Sequence, residues 1–164
     1  ITPDLICCGK GMGGGIALSG VIGKKKIMDL PEVGNMSSTH SANPLACSAG
    51  LAVIEEIESK RLTQNAEKKG ELLHENLSKI SLQYPGLIDI NGKGLIAAMI
   101  FNKNCKNINS KLKKLVELCI KDGLLLVYTG RESVKIGPPL TITKSALNEG
   151  IQILNKNINI LFKK

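Results

Sequence analysis

Tryptophan is absent, and only four aromatic residues, two Tyr and two Phe, occur among 164 positions. So few rings give no platform for stacking nucleic-acid bases. The lysines raise the net charge to +8 but are spread over helix faces instead of forming one block, so they read as a solvated surface, and no nucleic-acid partner is expected. Cysteine-pairing signals are also lacking. The five cysteines, Cys7, Cys8, Cys47, Cys105 and Cys119, are odd in number and contain no C-x-x-C pair; they are expected to be reduced, mostly buried thiols, and no metal site is expected. No apolar run approaches the ~20 residues that span a bilayer, and no charged segment leading into an apolar one opens the chain. No membrane association and a cytoplasmic location are therefore the expectation. The first residue is Ile1, not Met, and the opening residues run straight into a strand, so the start reads as cut.

What is present is enough apolar residue, 43%, to bury one ordinary core, or pieces of two. Asp4 to Cys8 is apolar between Pro3 and Gly9 and predicts a short buried strand ending at Lys10. Ile16 to Ile22 predicts a second strand, Lys24 to Met28 a short helical turn, and Asp29 to Ser41 a loop. Asn43-Pro44 is a strong helix start: Asn accepts from first-turn N–H groups, and Pro at the first helical position loses nothing. A helix from Pro44 to about Arg61 follows, apolar at first and acidic at Glu55, Glu56 and Glu58. That gradient suggests a helix leaving a buried site for solvent. A second helix, about Thr63 to Gln83, carries Leu72, Leu73, Leu77 and Ile80 at helical spacing. Strands are predicted at Leu87 to Ile90 and Leu95 to Phe101, joined through Asn91-Gly92-Lys93-Gly94. A helix from about Ser110 to Lys121, strands at Leu124 to Tyr128 and Ser133 to Ile136, and a helix from about Thr143 to Phe162 complete an α+β unit with its own sheet.

Two segments carry candidate chemistry. Lys10 stands at a strand end, followed by Gly11-Met12-Gly13-Gly14-Gly15, four glycines in five positions. Glycine lets backbone approach a bulky ligand and adopt positive φ at little cost. An amine that forms a Schiff base must spend time deprotonated, which a desolvated pocket promotes; the same amine can then shuttle a proton at a substrate α-carbon. The bland alternative is a surface lysine on a glycine loop. Gly9 to Gly14 also fits G-x-G-x-x-G, with Asp29 about twenty residues on, but a dinucleotide site needs a helix to open at once, whereas Ile16 onward reads as strand. The second segment is Ser37-Ser38-Thr39-His40-Ser41, hydroxyls just ahead of a helix N-terminus, which suits an anion such as phosphate; the alternative is an ordinary helix cap, with His40 a loop histidine.

Taken together, these segments resemble the class III aminotransferases, a pyridoxal-phosphate family of fold type I. The resemblance rests on Pro3-Asp4 through Lys10-Gly-Met-Gly-Gly-Gly15, on Gly20-Val-Ile-Gly23 with Ile27-Met28, on Ser38-Thr39-His40-Ser-Ala-Asn43-Pro44-Leu45-Ala46, on Gly92-Lys93-Gly94-Leu95 and on Gly137-Pro138-Pro139-Leu140-Thr141-Ile142-Thr143. It implies an α/β fold comprising the C-terminal part of a fold type I transferase: residues 1–61 the end of the large cofactor domain with an interdomain helix, residues 62–164 the small α+β domain. It implies further that Lys10 is the Schiff-base lysine, that Thr39 and Ser38 contact the phosphate of pyridoxal 5'-phosphate across a homodimer interface, and that the substrates are a small amino donor and an oxo acid or aldehyde acceptor.

Two departures follow. Family members commonly carry an arginine two residues before the Gly/Ala-Pro-Pro-Leu run, where it binds a substrate carboxylate; Lys135 stands here, keeping the charge without the planar two-pronged grip. Arg131 is the other candidate, and Lys135 as a plain solvent-facing strand residue is the alternative to both. Nothing corresponds to the family's N-terminal half, which supplies the aspartate for the pyridine nitrogen and the ring-stacking aromatic, so the chain alone is expected to be inactive or barely active. The competing readings are an inactive product of a split or decaying gene that needs an N-terminal partner, and a dinucleotide-binding module built on the glycine loop.

Overall fold

The computed structural model describes residues 1–163 and divides into two compact units, Ile1–Arg61 and Leu62–Lys164. In the first unit, strand β1 (Leu5–Cys8) and strand β2 (Gly20–Gly23) form a two-stranded antiparallel ribbon with Leu5 opposite Gly23 and Cys8 opposite Gly20. Between them lies a single 3-10 turn, Lys10–Gly13. Helix α1 (Lys25–Met28) and helix α2 (Pro44–Ser59) follow. The second strand is thus shorter than Ile16–Ile22, because the chain is still completing its glycine turn through Gly14 and Gly15, both at positive φ. No helix opens after the glycines, and Asp29 caps the end of α1, paired with Lys25. Both findings overturn the dinucleotide reading, which needs a helix at Ile16.

Strand β1 is correctly placed but is not buried: Leu5 and Ile6 are 46% and 49% exposed. Along α2 only Ala46 and Gly50 are buried, while Leu45, Leu51 and Ile54 face outward. The turn and the helix interlock through small residues. A Cβ on Gly50 would stand 2.6 Å from Leu18 Cδ2, and one on Gly14 would stand 3.0 Å from Val53 Cγ2.

The second unit holds the large core. Helix α3 (Leu62–Ser81) leads into strands β3 (Ile88–Lys93) and β4 (Ile96–Phe101), then helix α4 (Ile108–Lys121), strands β5 (Val127–Tyr128) and β6 (Ser133–Ile136), and helix α5 (Lys144–Phe162). The four-stranded sheet has the order β3-β4-β6-β5, all antiparallel. The predicted element order holds, and several bounds differ, three of them informatively. Strand β3 continues through Asn91 and Gly92, leaving only Gly94 and Leu95 to turn the hairpin. Leu124–Leu126 remain outside β5. Helix α4 starts at Ile108, directly after Asn107 in the left-handed region (φ 58°).

Alternation along the strands explains how the sheet packs. Ala97, Met99, Phe101 and Val134 are buried against Leu73, Leu77, Leu112, Leu115, Leu154 and Ile158, whereas Ile96, Ile100 and Lys135 on the opposite face are exposed. Of the five free cysteines only Cys119 is buried; Cys7 is exposed and Cys8, Cys47 and Cys105 are half-buried. The expectation of mostly buried thiols is corrected accordingly, because four of the five lie on the ribbon, the exposed side of α2 or the loop before α4.

Candidate active site

Lys10 leaves β1 with φ +50°, a left-handed conformation that costs a non-glycine residue ~1–2 kcal/mol. Ala42, which lines the same cavity, has φ +53°. Two of the five non-glycine residues at positive φ therefore line one cavity. The cavity measures about 510 Å3 and is lined by Lys10, Ala17, Leu18, Ser19, by Ser38, His40, Ser41 and Ala42, and by Asn43 and Ala46 of the α2 entry.

Of the residues singled out by sequence, Lys10 and Ser38 therefore meet in one cavity. Thr39 is not among its lining residues, because the loop turns over at this point: Ser41 N donates to Ser38 O at 3.0 Å and Ser41 Oγ donates to the same carbonyl at 2.6 Å. Ser19 was missed in the sequence. Its signal is the ribbon register: with Cys8 opposite Gly20, Gly9 falls opposite Ser19, and a Cβ on Gly9 would lie 3.7 Å from that of Ser19. His40, read first as an ordinary loop histidine, lines the cavity as well.

Two expectations about this site change. The N–H groups at the start of α2 are not free for an anion: Asn43 Oδ1 accepts from Leu45 N at 2.9 Å and Ala46 N at 3.4 Å, and Pro44 has none to give. Ser38 N donates to Ser41 Oγ at 3.1 Å. An anion would meet the hydroxyls of Ser19 and Ser38, His40 and the field of the helix N-terminus, not bare amides. Lys10 is also exposed, so the surroundings in this chain do not supply the desolvation expected of them.

In the second unit, Lys135 of β6 lies between Ala98 of β4 and Val127 of β5 in the sheet register. It lines an open groove on the exposed sheet face together with Asn91, Ile96, Ile100 and Thr129. Arg131 lies in the turn before β6, where its backbone N donates to Thr129 Oγ1 at 3.3 Å, and it does not line that groove. Both side chains are exposed, and among the described residues neither forms an ion pair.

The donor set around Lys10 fits the two ends of pyridoxal phosphate: an amine for its aldehyde, and hydroxyls with an imidazole for its phosphate. No carboxylate and no aromatic ring besides His40 lines the cavity, so these residues offer nothing to the ring nitrogen.

Comparison with known proteins agrees with this donor set. The family model "Aminotransferase class-III" matches residues 1–158. An acetylornithine aminotransferase of Synechocystis is 35% identical over 162 residues, which is 98% of this chain and 37% of that protein. A leucine/methionine racemase of Thermococcus litoralis is 38% identical over 96% of this chain and 36% of its own length. Among solved structures, acetylornithine aminotransferase from Elizabethkingia anophelis superposes with a TM-score of 0.86 at 31% identity, covering 96% of this chain and 41% of that one. Ornithine aminotransferase of Plasmodium yoelii gives 0.87 at 30%, covering 98% and 42%. The chain thus spans little more than a third of the length of the curated relatives it matches. It belongs to the class III aminotransferases, a pyridoxal-phosphate-dependent family of fold type I.

Proposed function

We propose that the protein containing this chain transfers an amino group from a small amino donor to an oxo acid or aldehyde acceptor, with Lys10 as the residue that holds and serves the cofactor. The observation that carries this reading is the single cavity in which a strained Lys10 faces Ser38, Ser41, His40 and Ser19. Pyridoxal 5'-phosphate, when bound, supplies the sink for the electron pair left on the substrate α-carbon. The amine of Lys10 would hold the cofactor through its aldehyde carbon and, when freed by the substrate amine, would take the proton from the substrate α-carbon and deliver it to that cofactor carbon. The hydroxyls of Ser38 and Ser19 orient the phosphate. Thr39, which is not part of this cavity's wall, is assigned to the phosphate of a second subunit in a homodimer. Lys135 or Arg131 meets a substrate carboxylate. In this reading residues 1–61 end the large domain and residues 62–164 are the small one.

The test needs no turnover. The purified chain is mixed with pyridoxal phosphate, reduced with borohydride and mapped by peptide mass. Lys10 should carry the pyridoxyl group in preference to the other lysines, and Lys10→Ala should lose it. Labelling spread evenly over surface lysines, unchanged in Lys10→Ala, would refute the assignment. The isolated chain is expected to show little or no turnover, because its cavity lacks a group for the ring nitrogen. A second reading, inversion at the α-carbon, is favoured by the 38% identity to a racemase. It uses the same proton transfer at Lys10, and in the intact protein it would exchange the α-hydrogen without releasing an oxo acid.

A further inference from the structure

Residues 62–163 contain a second cavity that the amino-transfer reading does not use. It measures about 310 Å3 and is bounded by Leu73 and Leu77 of α3, by Leu124–Leu126, by the Ile136–Pro139 corner with Ile142, and by one face of α5. Not one of its lining side chains is polar or charged. Its volume is about twice that of the ~150 Å3 apolar cavity that stays dry and takes up benzene or xenon, and it falls at the lower end of the range for small-molecule sites.

Such a space would ordinarily close by side-chain collapse. Here its wall is fixed. Pro138 and Pro139 stiffen the corner, Ile142 N donates back to Pro139 O at 2.9 Å, and two side chains of α3 suspend the same segment: Asn65 Nδ2 donates to Leu140 O at 2.6 Å, and Lys69 Nζ donates to Ile142 O. Thr143 then caps α5, accepting from Ala146 N at 3.1 Å. On α5, Ala146 and Gly150 face the space one turn apart, where larger side chains would have filled it. Leu125, which lines the space, is 83% exposed and would lose water contact on occupation.

We propose that this cavity is a binding site for an uncharged, apolar small molecule the size of a short-chain alkylbenzene. With no polar group in the wall, a charged or strongly hydrogen-bonding ligand would lose its hydration without replacement. The probes are toluene and n-butylbenzene, with benzoate as the charged control, added to the full chain. In the wild type the two hydrocarbons should raise the thermal midpoint followed by circular dichroism, on the order of 5 °C at tenfold excess over Kd, and benzoate should not. They should also shift the methyl NMR signals of Leu73, Leu126 and Leu147. Ala146→Phe, which fills the space, should remove both effects. Wild-type methyl signals unmoved by either hydrocarbon would overturn the proposal without reference to any variant, whether because the cavity is closed or because another copy covers it. Midpoint shifts that persist in a folded Ala146→Phe chain would overturn it equally, by placing the binding on exposed apolar surface elsewhere.

Discussion

Gly70 sits in the middle of α3, where replacement by alanine should help: Gly costs a helix interior ~1 kcal/mol relative to Ala. The structure predicts the reverse. A Cβ at Gly70 would lie 2.5 Å from the carbonyl carbon of Gly94 and 2.7 Å from its oxygen. These are backbone atoms of the β3–β4 hairpin turn, and no flexible side chain can swing away. Reaching an ordinary contact near ~3.5 Å requires about 1 Å of separation between helix and hairpin. The hairpin cannot yield freely, because Gly94 itself holds φ +57° and its carbonyl accepts from His74 Nε2 at 3.1 Å. Overpacking of this kind costs ~1–3 kcal/mol, and loss of the His74 hydrogen bond adds ~1 kcal/mol. Set against the helix gain, Gly70→Ala should destabilise residues 62–163 by about 1–3 kcal/mol. Both tyrosines, Tyr84 and Tyr128, lie in that unit and the chain has no Trp, so tyrosine fluorescence in a urea titration reports on it alone. Gly150→Ala is the matched control: its Cβ would meet only the terminal Cδ1 of Leu124, at 3.3 Å, and a neutral to ~1 kcal/mol stabilising effect is expected. A Gly70→Ala chain as stable as Gly150→Ala would refute the close-packing argument.

Two further outcomes concern titration and reactivity. The Asp122 carboxyl is held below the usual carboxylate range, first by Asn157 Nδ2, which is buried and donates at 2.8 Å, and then by Lys156 at 2.9 Å; Glu75 and Glu117 are lowered in the same direction by Lys79 and Lys114. Because the folded values lie below the unfolded ones, this stabilisation is complete above about pH 5 and disappears as pH falls through the folded values. Asp122→Asn should therefore flatten the acid limb of a plot of urea midpoint against pH, and an unchanged limb would count against the cluster. The Cys119 thiol is pushed up to about 11 by burial and, secondarily, by the Asp122 carboxylate. A thiol reagent at pH 8 should label Cys7 first and leave Cys119 unmodified until the chain is denatured; mass mapping that finds Cys119 labelled as readily as Cys7 would refute this.

Local rules explain which parts of the molecule were legible. Helices α2, α3 and α5 were readable from helical periodicity, and Asn43 and Thr143 cap α2 and α5 with their side chains. The β3–β4 hairpin was readable from alternation and glycine. Strand length at Ile16–Ser19 and Leu124–Leu126 was not, since an apolar run states an intention to be buried without stating whether a partner strand is present to pair with it. Lys10 was singled out because a lysine in a glycine tract after a strand is chemically distinctive, and the structure places it in a cavity wall. Ser19 was not, because its membership of the site arises from a pairing register nine residues away. The hydroxyl segment was half legible: its type suggested an anion site, while Asn43 withdraws the helix N–H groups through a capping bond whose consequences appear only in three dimensions.

The two units differ in how far their own residues account for their order. In residues 62–163 the strands alternate, one face buried on three helices and the other open, and the apolar side chains that the pattern assigns inward are inward. In residues 1–61 the strands are apolar on both faces. Successive residues point to opposite sides of a strand, yet Leu5 and Ile6 are both about half exposed, and Val21 and Ile22 on the paired strand are exposed at 45% and 65%. Strands of that composition belong to sheets covered on both sides, and a two-stranded ribbon by itself is marginally stable at best. Lys10 stands at the end of that ribbon. Catalytic placement requires a reacting group to be held within ~0.5 Å by packed neighbours, and the strands beside Lys10 are left half exposed in these 61 residues. The relatives are between two and three times as long as this chain, and polypeptide on that scale is what the uncovered faces of β1, β2 and α2 require. Lys10 is likewise exposed, and the chemistry proposed for it depends on excluding water from its amine.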